Sequence, residues 1–203
     1  MEEECDADKI IKKTINDNDV EYIKCNSITE AFTRIKSFGK EEISVIVIKG
    51  TWTEQYSFSN DKLLVQTFGN FEVFCQGKPV TFSRAKSKEL LAYLIDRRGA
   101  TVTTAEACGI LWEDKEYNFS LQRQFQTIVS DLIKSLKRYK FEHVVYRRRN
   151  CLSVDVSKLD CDVYKLLEGN RMAKKNYSGE YMSNYSWAEM TAGFLLQKCM
   201  SEE

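Results

Sequence analysis

The segment from Asn118 to Tyr139 carries polar side chains at a spacing that places them on one side of a helix. These side chains, called the polar face below, are Gln122, Arg123, Gln126, Thr127, Ser130, Lys134 and Lys137. Amide, hydroxyl and cationic groups hydrogen-bond to base edges and phosphate oxygens. The polar face could therefore contact a nucleic acid, but an ordinary solvated helix face has the same composition. The segment alone leaves both interpretations open.

In a major groove, the polar face would divide into two sets of contacts. The residues expected to meet bases are Gln122, Arg123, Gln126, Thr127 and Ser130. Glutamine suits adenine and arginine suits guanine, and each good bidentate pair discriminates by about 1–3 kcal/mol. The residues expected to contact the DNA backbone, or an adjacent minor groove in the case of the arginines, are Lys134, Lys137, Arg147, Arg148 and Arg149.

The same segment carries an apolar stripe that must fix the direction of the polar face. Its members recur at three- and four-residue spacing, and they are Leu121, Phe125, Ile128, Val129, Leu132, Ile133 and Leu136. This period is typical of a helix with one side in a core. The stripe predicts that the polar face lies opposite the core.

Two shorter helices are predicted upstream of this long helix. The first carries a stripe of Leu90, Leu91, Leu94 and Ile95, has Arg97 and Arg98 in its last turn, and stops at Gly99. The second is short and begins with a capping box formed by Thr103 and Glu106, ahead of Ala107, Ile110 and Leu111.

Short strands are predicted on both sides of the helices. Residues 63–82 alternate as three strands, with turns at Gly69-Asn70 and Gly77-Lys78 and Pro79 at the start of the third. Their expected inward residues are Val65, Phe71, Val73, Val80 and Phe82. Residues 143–156 read as a hairpin around Arg148, Arg149 and Asn150, so three arginines lie at or near its tip. Helix, helix, long helix and basic hairpin form the order of a winged helix.

A family resemblance rests on these stretches. FSRAKSKELLAYLIDRRGATVTTAEACGILW, the long helix and VVYRRRNCLSVDVSKLDCDVYKLL resemble the OmpR-type winged-helix domain of the Streptomyces antibiotic regulatory proteins. LLVQTFGNFEVFCQGKPVTFS is similar to the N-terminal antiparallel sheet of that type. The resemblance spans about Leu63 to Leu167 and continues more weakly to Leu196. It implies an α+β winged helix-turn-helix fold with an N-terminal antiparallel sheet, three helices and a C-terminal hairpin.

The resemblance also implies a function and partners. We expect a cytoplasmic transcriptional regulator that binds double-stranded DNA and has no membrane partner. Because single modules bind weakly, a homodimer on repeated half-sites is expected, with RNA polymerase as a further partner. Asp131 and Ile133 stand where the family commonly has arginines, and the wing lacks the usual Gly-Tyr. A weaker or altered DNA site is therefore expected.

Residues 1–60 are predicted to form a separate small α/β unit. A strand at 20–25, a helix from Ser27 and a buried, parallel strand at 43–50 resemble a fragment of a response-regulator receiver domain. The expected phosphoacceptor position holds Lys49, so no phosphoacceptor is predicted. The unit is either a degenerate receiver that pairs with a partner or an appendage that covers the winged helix. Thr51 to Lys62 is predicted to be a linker.

The winged helix is assigned to residues 61–156 and a short helical extension to residues 157–203. The extension begins with a helix capped at Asp160, with Val163, Leu166 and Leu167 turned inward, followed by the polar NRMAKKN. Its last stretch resembles an early part of the helical domain that follows the winged helix in the antibiotic regulators. It either packs against the rest of the chain or forms a dimer contact.

Composition limits the other functional classes. The chain of 203 residues has 30 basic and 30 acidic residues, but residues 84–150 hold 14 Lys and Arg against 8 Asp and Glu. Seven cysteines without a CxxC pair, together with one histidine, His143, predict reduced thiols and no metal or cofactor. No GxSxG, Walker, GxGxxG or HExxH motif is present, so an enzyme is not expected. The alternative function is a protein-interaction adaptor that kept the fold without binding DNA.

Overall fold

The computed structural model describes the backbone of residues 43–49 and 52–58, and residues 62–201 with side chains up to residue 200. These residues all belong to one compact unit, Lys40–Glu203. Most of the predicted α/β unit, including the strand at 20–25 and the helix from Ser27, lies outside the described residues. So does the side chain of Lys49. Those predictions stay predictions.

The first two described strands form an antiparallel hairpin. Strand β1, Ile43–Lys49, pairs with β2, Trp52–Phe58, in register from Ile43↔Phe58 to Lys49↔Trp52. The predicted strand at 43–49 is confirmed, but its described partner is antiparallel where a parallel strand was expected. The linker prediction is wrong over residues 52–58. Trp52, Tyr56 and Phe58 lie at even-numbered positions, which is the two-residue period of a strand. The linker prediction rested on the lack of a helical stripe, which does not exclude a strand.

A four-stranded sheet covers one side of the helical core. Its strands are β3 Leu63–Gln66, β4 Glu72–Cys75, β5 Lys78–Pro79 and β9 Leu159–Cys161, in the order β5-β4-β3-β9. Three strands are present as predicted, but the third ends at Pro79, the residue predicted to begin it. Val65, Phe71, Val73 and Val80 are buried, whereas Phe82 is only half-buried. The tight turn lies at Gln76-Gly77, one residue before the predicted position. Both residues have positive φ, 48° and 71°, as a two-residue hairpin loop requires.

The helices and the second sheet follow in the predicted order. They are α1 Ala85–Asp96, β6 Val102–Thr103, α2 Thr104–Leu111, α3 Phe119–Lys137, β7 Val145–Arg148 and β8 Cys151–Val154. Leu90, Leu91, Leu94 and Ile95 are fully buried on α1, and the capping box of α2 is confirmed. Arg97 and Arg98 follow the last residue of α1, where the sequence placed them inside its last turn. Strands β6, β8 and β7 form an antiparallel sheet, and β7 with β8 is the wing.

The C-terminal elements differ from prediction at their start. Asp160 lies inside strand β9, so the helix predicted to be capped there has Cys161 as its N-cap residue instead and begins one residue later than predicted, as α4, Asp162–Leu167. The polar segment NRMAKKN forms α5, Arg171–Asn176, because the side-chain oxygen of Asn170 accepts the N–H groups of Met172 and Ala173. The last helix is α6, Glu189–Ser201. No helix in the described part of the chain is long and apolar enough to span a membrane.

The C-terminal segment packs against the winged helix, which is one of the two alternatives left open by the sequence. The N–H of Met182 donates to the carbonyl of Thr67 at 2.8 Å, and the N–H of Gly69 donates to the carbonyl of Glu180 at 3.0 Å. The Tyr181 hydroxyl donates to Asp96 at the end of α1 at 2.9 Å. Met182 and Leu195 are fully buried in the same core as α1 and α3.

The carboxylate of Asp162 joins the first and last parts of this core. It accepts the backbone N–H groups of Thr67 at 2.8 Å and Phe68 at 3.0 Å, and the N–H of Val163 at 2.8 Å. It also accepts the hydroxyl of Thr67. Burial raises the pKa of the Asp162 carboxyl, while the hydrogen bonds from Thr67 and Phe68 act in the opposite direction. The carboxylate satisfies backbone donors that β3 leaves unpaired where it ends.

Asp162→Asn tests this connection. An amide presents an NH2 group to donors that need an acceptor, so the free energy of unfolding should fall by about 1.5–3 kcal/mol. The measurement is equilibrium unfolding in urea. The matched control is Asp160→Asn, which removes only a partly exposed ion pair with Lys165 and should cost less than about 1 kcal/mol. Equal losses in the two variants would contradict the role given to Asp162.

Candidate nucleic-acid interface

Helix α3 is fixed by its apolar stripe. The stripe residues buried where α3 packs against α1 and α2 are Leu121, Phe125, Ile128, Val129, Leu132 and Leu136. Ile133 is half-buried, a smaller contribution than predicted. The side chain of Asn118 caps the helix by accepting the N–H of Leu121 at 2.9 Å. The polar face is thereby directed away from the core.

Every predicted member of the polar face has access to solvent. Arg123, Thr127, Lys134 and Lys137 are exposed, and Gln122, Gln126 and Ser130 are half-buried. The hydroxyl of Thr127 donates to the carbonyl of Arg123 at 3.3 Å, and that of Ser130 donates to the carbonyl of Gln126 at 2.9 Å. Both hydroxyl protons are used inside the helix, so these oxygens can take part in further hydrogen bonds only as acceptors.

An aromatic residue missed in the sequence lies beside the polar face. The guanidinium of Arg123 sits 4.5 Å from the centroid of the Phe119 ring, within the range of a cation–π contact. Phe119 is 67% exposed at the first position of α3. The signal for this pair was the four-residue spacing between the two side chains, which brings them together on a helix. The contact limits the orientations open to Arg123.

The wing presents its arginines as the sequence predicted. Arg147 and Arg148 lie in β7, and Arg149 with Asn150 makes the two-residue turn. All three arginines are exposed. Asn150 has a φ of 58°, and its carbonyl accepts the N–H of Thr104 at 2.9 Å. That bond ties the tip of the wing to the start of α2.

One hydrogen bond brings the wing and α3 together. The Nη2 of Arg147 donates to the Oε1 of Gln126 at 2.7 Å. Beneath it lies a groove of about 450 Å³. The residues that line the groove are Thr104, Phe125, Gln126, Val129 and the wing residues 147–152. The polar face and the wing arginines are therefore parts of one surface.

The acidic residue on α3 is paired. Asp131 forms an ion pair with Arg84, the residue just before α1. Arg138 donates to the hydroxyl of Ser83 at 2.9 Å, and the Tyr139 hydroxyl accepts the N–H of Thr81 at 3.1 Å. The segment leading into α1 is thus held along the C-terminal half of α3. Its Arg84 offsets the negative charge of Asp131.

Cys151 is half-buried and lines the groove, and most other reactive side chains lie apart from this surface or are buried. Cys75, Cys108 and Cys161 are buried, and burial raises the pKa of Cys108 to about 11. His143 is exposed and stacks on Phe141 with ring centroids 5.8 Å apart. Among residues 62–200, no three His, Cys, Asp or Glu side chains come together as metal ligands do.

Comparison with known proteins bears on the fold. No protein-family model matches the chain, and no curated protein matches it. The structure of Mycobacterium tuberculosis EmbR in complex with a low affinity phosphopeptide is similar, with a TM-score of 0.53 and 18% sequence identity over 68% of this chain. The chain spans 43% of that chain. Together with the order of strands and helices, this likeness supports one conclusion, that the described part of the chain has the OmpR-type winged-helix fold.

Proposed function

We propose that this chain is a DNA-binding transcriptional regulator of the Streptomyces antibiotic regulatory protein type. Helix α3 enters the major groove, and the wing contacts the adjacent backbone or minor groove. The observation that carries the proposal is the single surface made by the polar face and the wing arginines, joined by the bond from Arg147 to Gln126. Residues 61–156 form the DNA-binding part, and residues 157–203 brace it.

Charge distribution supports this function over a simple solvated surface. Three adjacent cations repel one another, and a two-residue turn needs none of them. Their clustering at the wing, together with the exposed Lys134 and Lys137 of α3, suits the phosphates of a duplex. A neutral net charge and an acidic residue on α3 would both suit the adaptor alternative, but the ion pair from Arg84 offsets the charge of that residue, Asp131.

The polar face supplies the chemistry for reading bases. Arg123, oriented by Phe119, presents donors that suit guanine. Gln122 offers both a donor and an acceptor, as adenine requires. Thr127 and Ser130 present acceptor oxygens, which suit the amino group of cytosine or adenine. Two copies on repeated half-sites would supply the affinity that a single module lacks, and RNA polymerase is the further partner of such a regulator.

Replacing Arg147, Arg148 and Arg149 together by Ala tests the proposed function. Each neutralised phosphate contributes about 0.9 to the slope of log affinity against log salt. The triple variant should bind specific and random duplexes more weakly, with a slope flatter by roughly 2 units. The measurement is a titration of duplex DNA at several salt concentrations. An unchanged slope would mean that the arginines face solvent or a protein, and the adaptor function would be favoured.

Arg84 and Asp131 provide a second test of the same surface. Arg84→Ala leaves the Asp131 carboxylate uncompensated beside the DNA, so affinity should fall by about 1.4- to 5-fold, the equivalent of roughly 0.2–1 kcal/mol. Asp131→Asn should raise affinity by a similar factor, and adding it to Arg84→Ala should restore most of the loss. Low-salt titrations of the three variants check this. Affinities that do not respond to either charge would place the DNA elsewhere.

A further inference from the structure

The bond between Arg147 and Gln126 fixes the direction in which Gln126 hydrogen-bonds. A guanidinium has donors only, so the amide atom that faces it must be the oxygen. Oε1 of Gln126 therefore accepts from Nη2 of Arg147 at 2.7 Å, and the amide NH2 is the group left for a ligand. No other arrangement of the amide is compatible with this contact.

This arrangement works against the adenine contact expected for Gln126. Reading adenine requires the glutamine to accept from the N6 amino group and to donate to N7. Here the accepting oxygen lies against a cation, whose neighbouring N–H groups repel another donor. The free N–H groups of Arg147 and the NH2 of Gln126 all seek acceptors. The pair as a whole suits a ligand that only accepts hydrogen bonds.

Resting on the proposed function, we propose that Gln126 and Arg147 act together as a clamp on one phosphodiester of the DNA backbone. Gln126 is a positioning residue that holds the Arg147 guanidinium over the groove between α3 and the wing. A phosphodiester is anionic and presents only acceptor oxygens, whereas a guanine edge is neutral. The neighbouring cations Arg148 and Arg149, which also line the groove, favour the anion.

The clamp predicts a pattern of non-additive losses. Arg147→Ala removes the cation and should flatten the salt slope by about 0.9. Gln126→Ala leaves the cation but frees it to move, so affinity should fall for all sequences alike. Once Arg147 is absent, Gln126 has nothing to position, and the double variant should bind no more weakly than Arg147→Ala alone.

The experiment uses the full chain with a matched control on the same helix face. Wild type, Gln126→Ala, Arg147→Ala and their double variant are titrated against a random duplex pool at several salt concentrations. Gln122→Ala, one turn earlier on α3, is combined with Arg147→Ala in the same way. Selection from the pool compares the sequence preferences of the variants. We expect Gln126→Ala to keep the sequence preference of the wild type and Gln122→Ala to change it. The losses of affinity caused by Gln122→Ala and Arg147→Ala should be additive.

Three outcomes would overturn the clamp while leaving the proposed function intact. The first is that the losses of affinity caused by Gln126→Ala and Arg147→Ala are additive in the double variant. The second is a changed preference at one base position in Gln126→Ala, which would restore base reading. The third is an unchanged affinity of Gln126→Ala for the random duplex pool, which would mean that Arg147 needs no positioning by Gln126. Failure of the wild type to bind any duplex at low salt would overturn both proposals.

Discussion

The burial of the apolar stripe of α3 is the constraint on which the candidate interface depends. A helix with one apolar side can place only that side in a core, and each large side chain removed from water contributes about 1.5–3 kcal/mol. Leu121, Phe125 and Leu132 are buried among α1 and α2, so rotating α3 about its axis would expose several such side chains at once. The direction of the polar face is a consequence of the core. The wing, through Arg147, and the segment before α1, through Arg84, then attach to a helix that is already oriented.

The frame that holds the three helices draws on distant parts of the chain. Strand β9 pairs in parallel with β3, from Leu63↔Leu159 to Val65↔Cys161. The carboxylate of Asp162 then accepts the backbone N–H of Thr67, the residue that follows β3. Tyr181 reaches back to the end of α1 through its bond to Asp96. A winged helix exposes one face to a ligand, so its opposite side must supply the packing. The C-terminal segment contributes to that packing, which gives it a structural role independent of any partner.

Sequence patterns predicted elements whose stabilising contacts are local or periodic. The stripe of α3, the capping box at Thr103 and the hairpin with its arginines were correct because each depends on residues a few positions apart. Strand β9 was missed because three residues are too few for a period, and its partner lies far away in the sequence. The pairings of Asp131 with Arg84 and of Gln126 with Arg147 had no sequence signal, since nothing local specifies which distant side chain will face which. The surface could be predicted, but its internal bonds could not.

Hydroxyl-radical footprinting of the chain with and without duplex DNA tests most directly whether this surface is the interface. Phe119 is 67% exposed beside the polar face, whereas Met190 and Met200 on α6 are 89% and 70% exposed. Phenylalanine and methionine side chains both react readily with radicals when exposed, so these three residues report on different surfaces of one molecule in one experiment. DNA should lower the oxidation of Phe119 and leave that of Met190 and Met200 unchanged. Unchanged oxidation of Phe119 on DNA-saturated protein, or protection of the α6 methionines instead, would contradict the account.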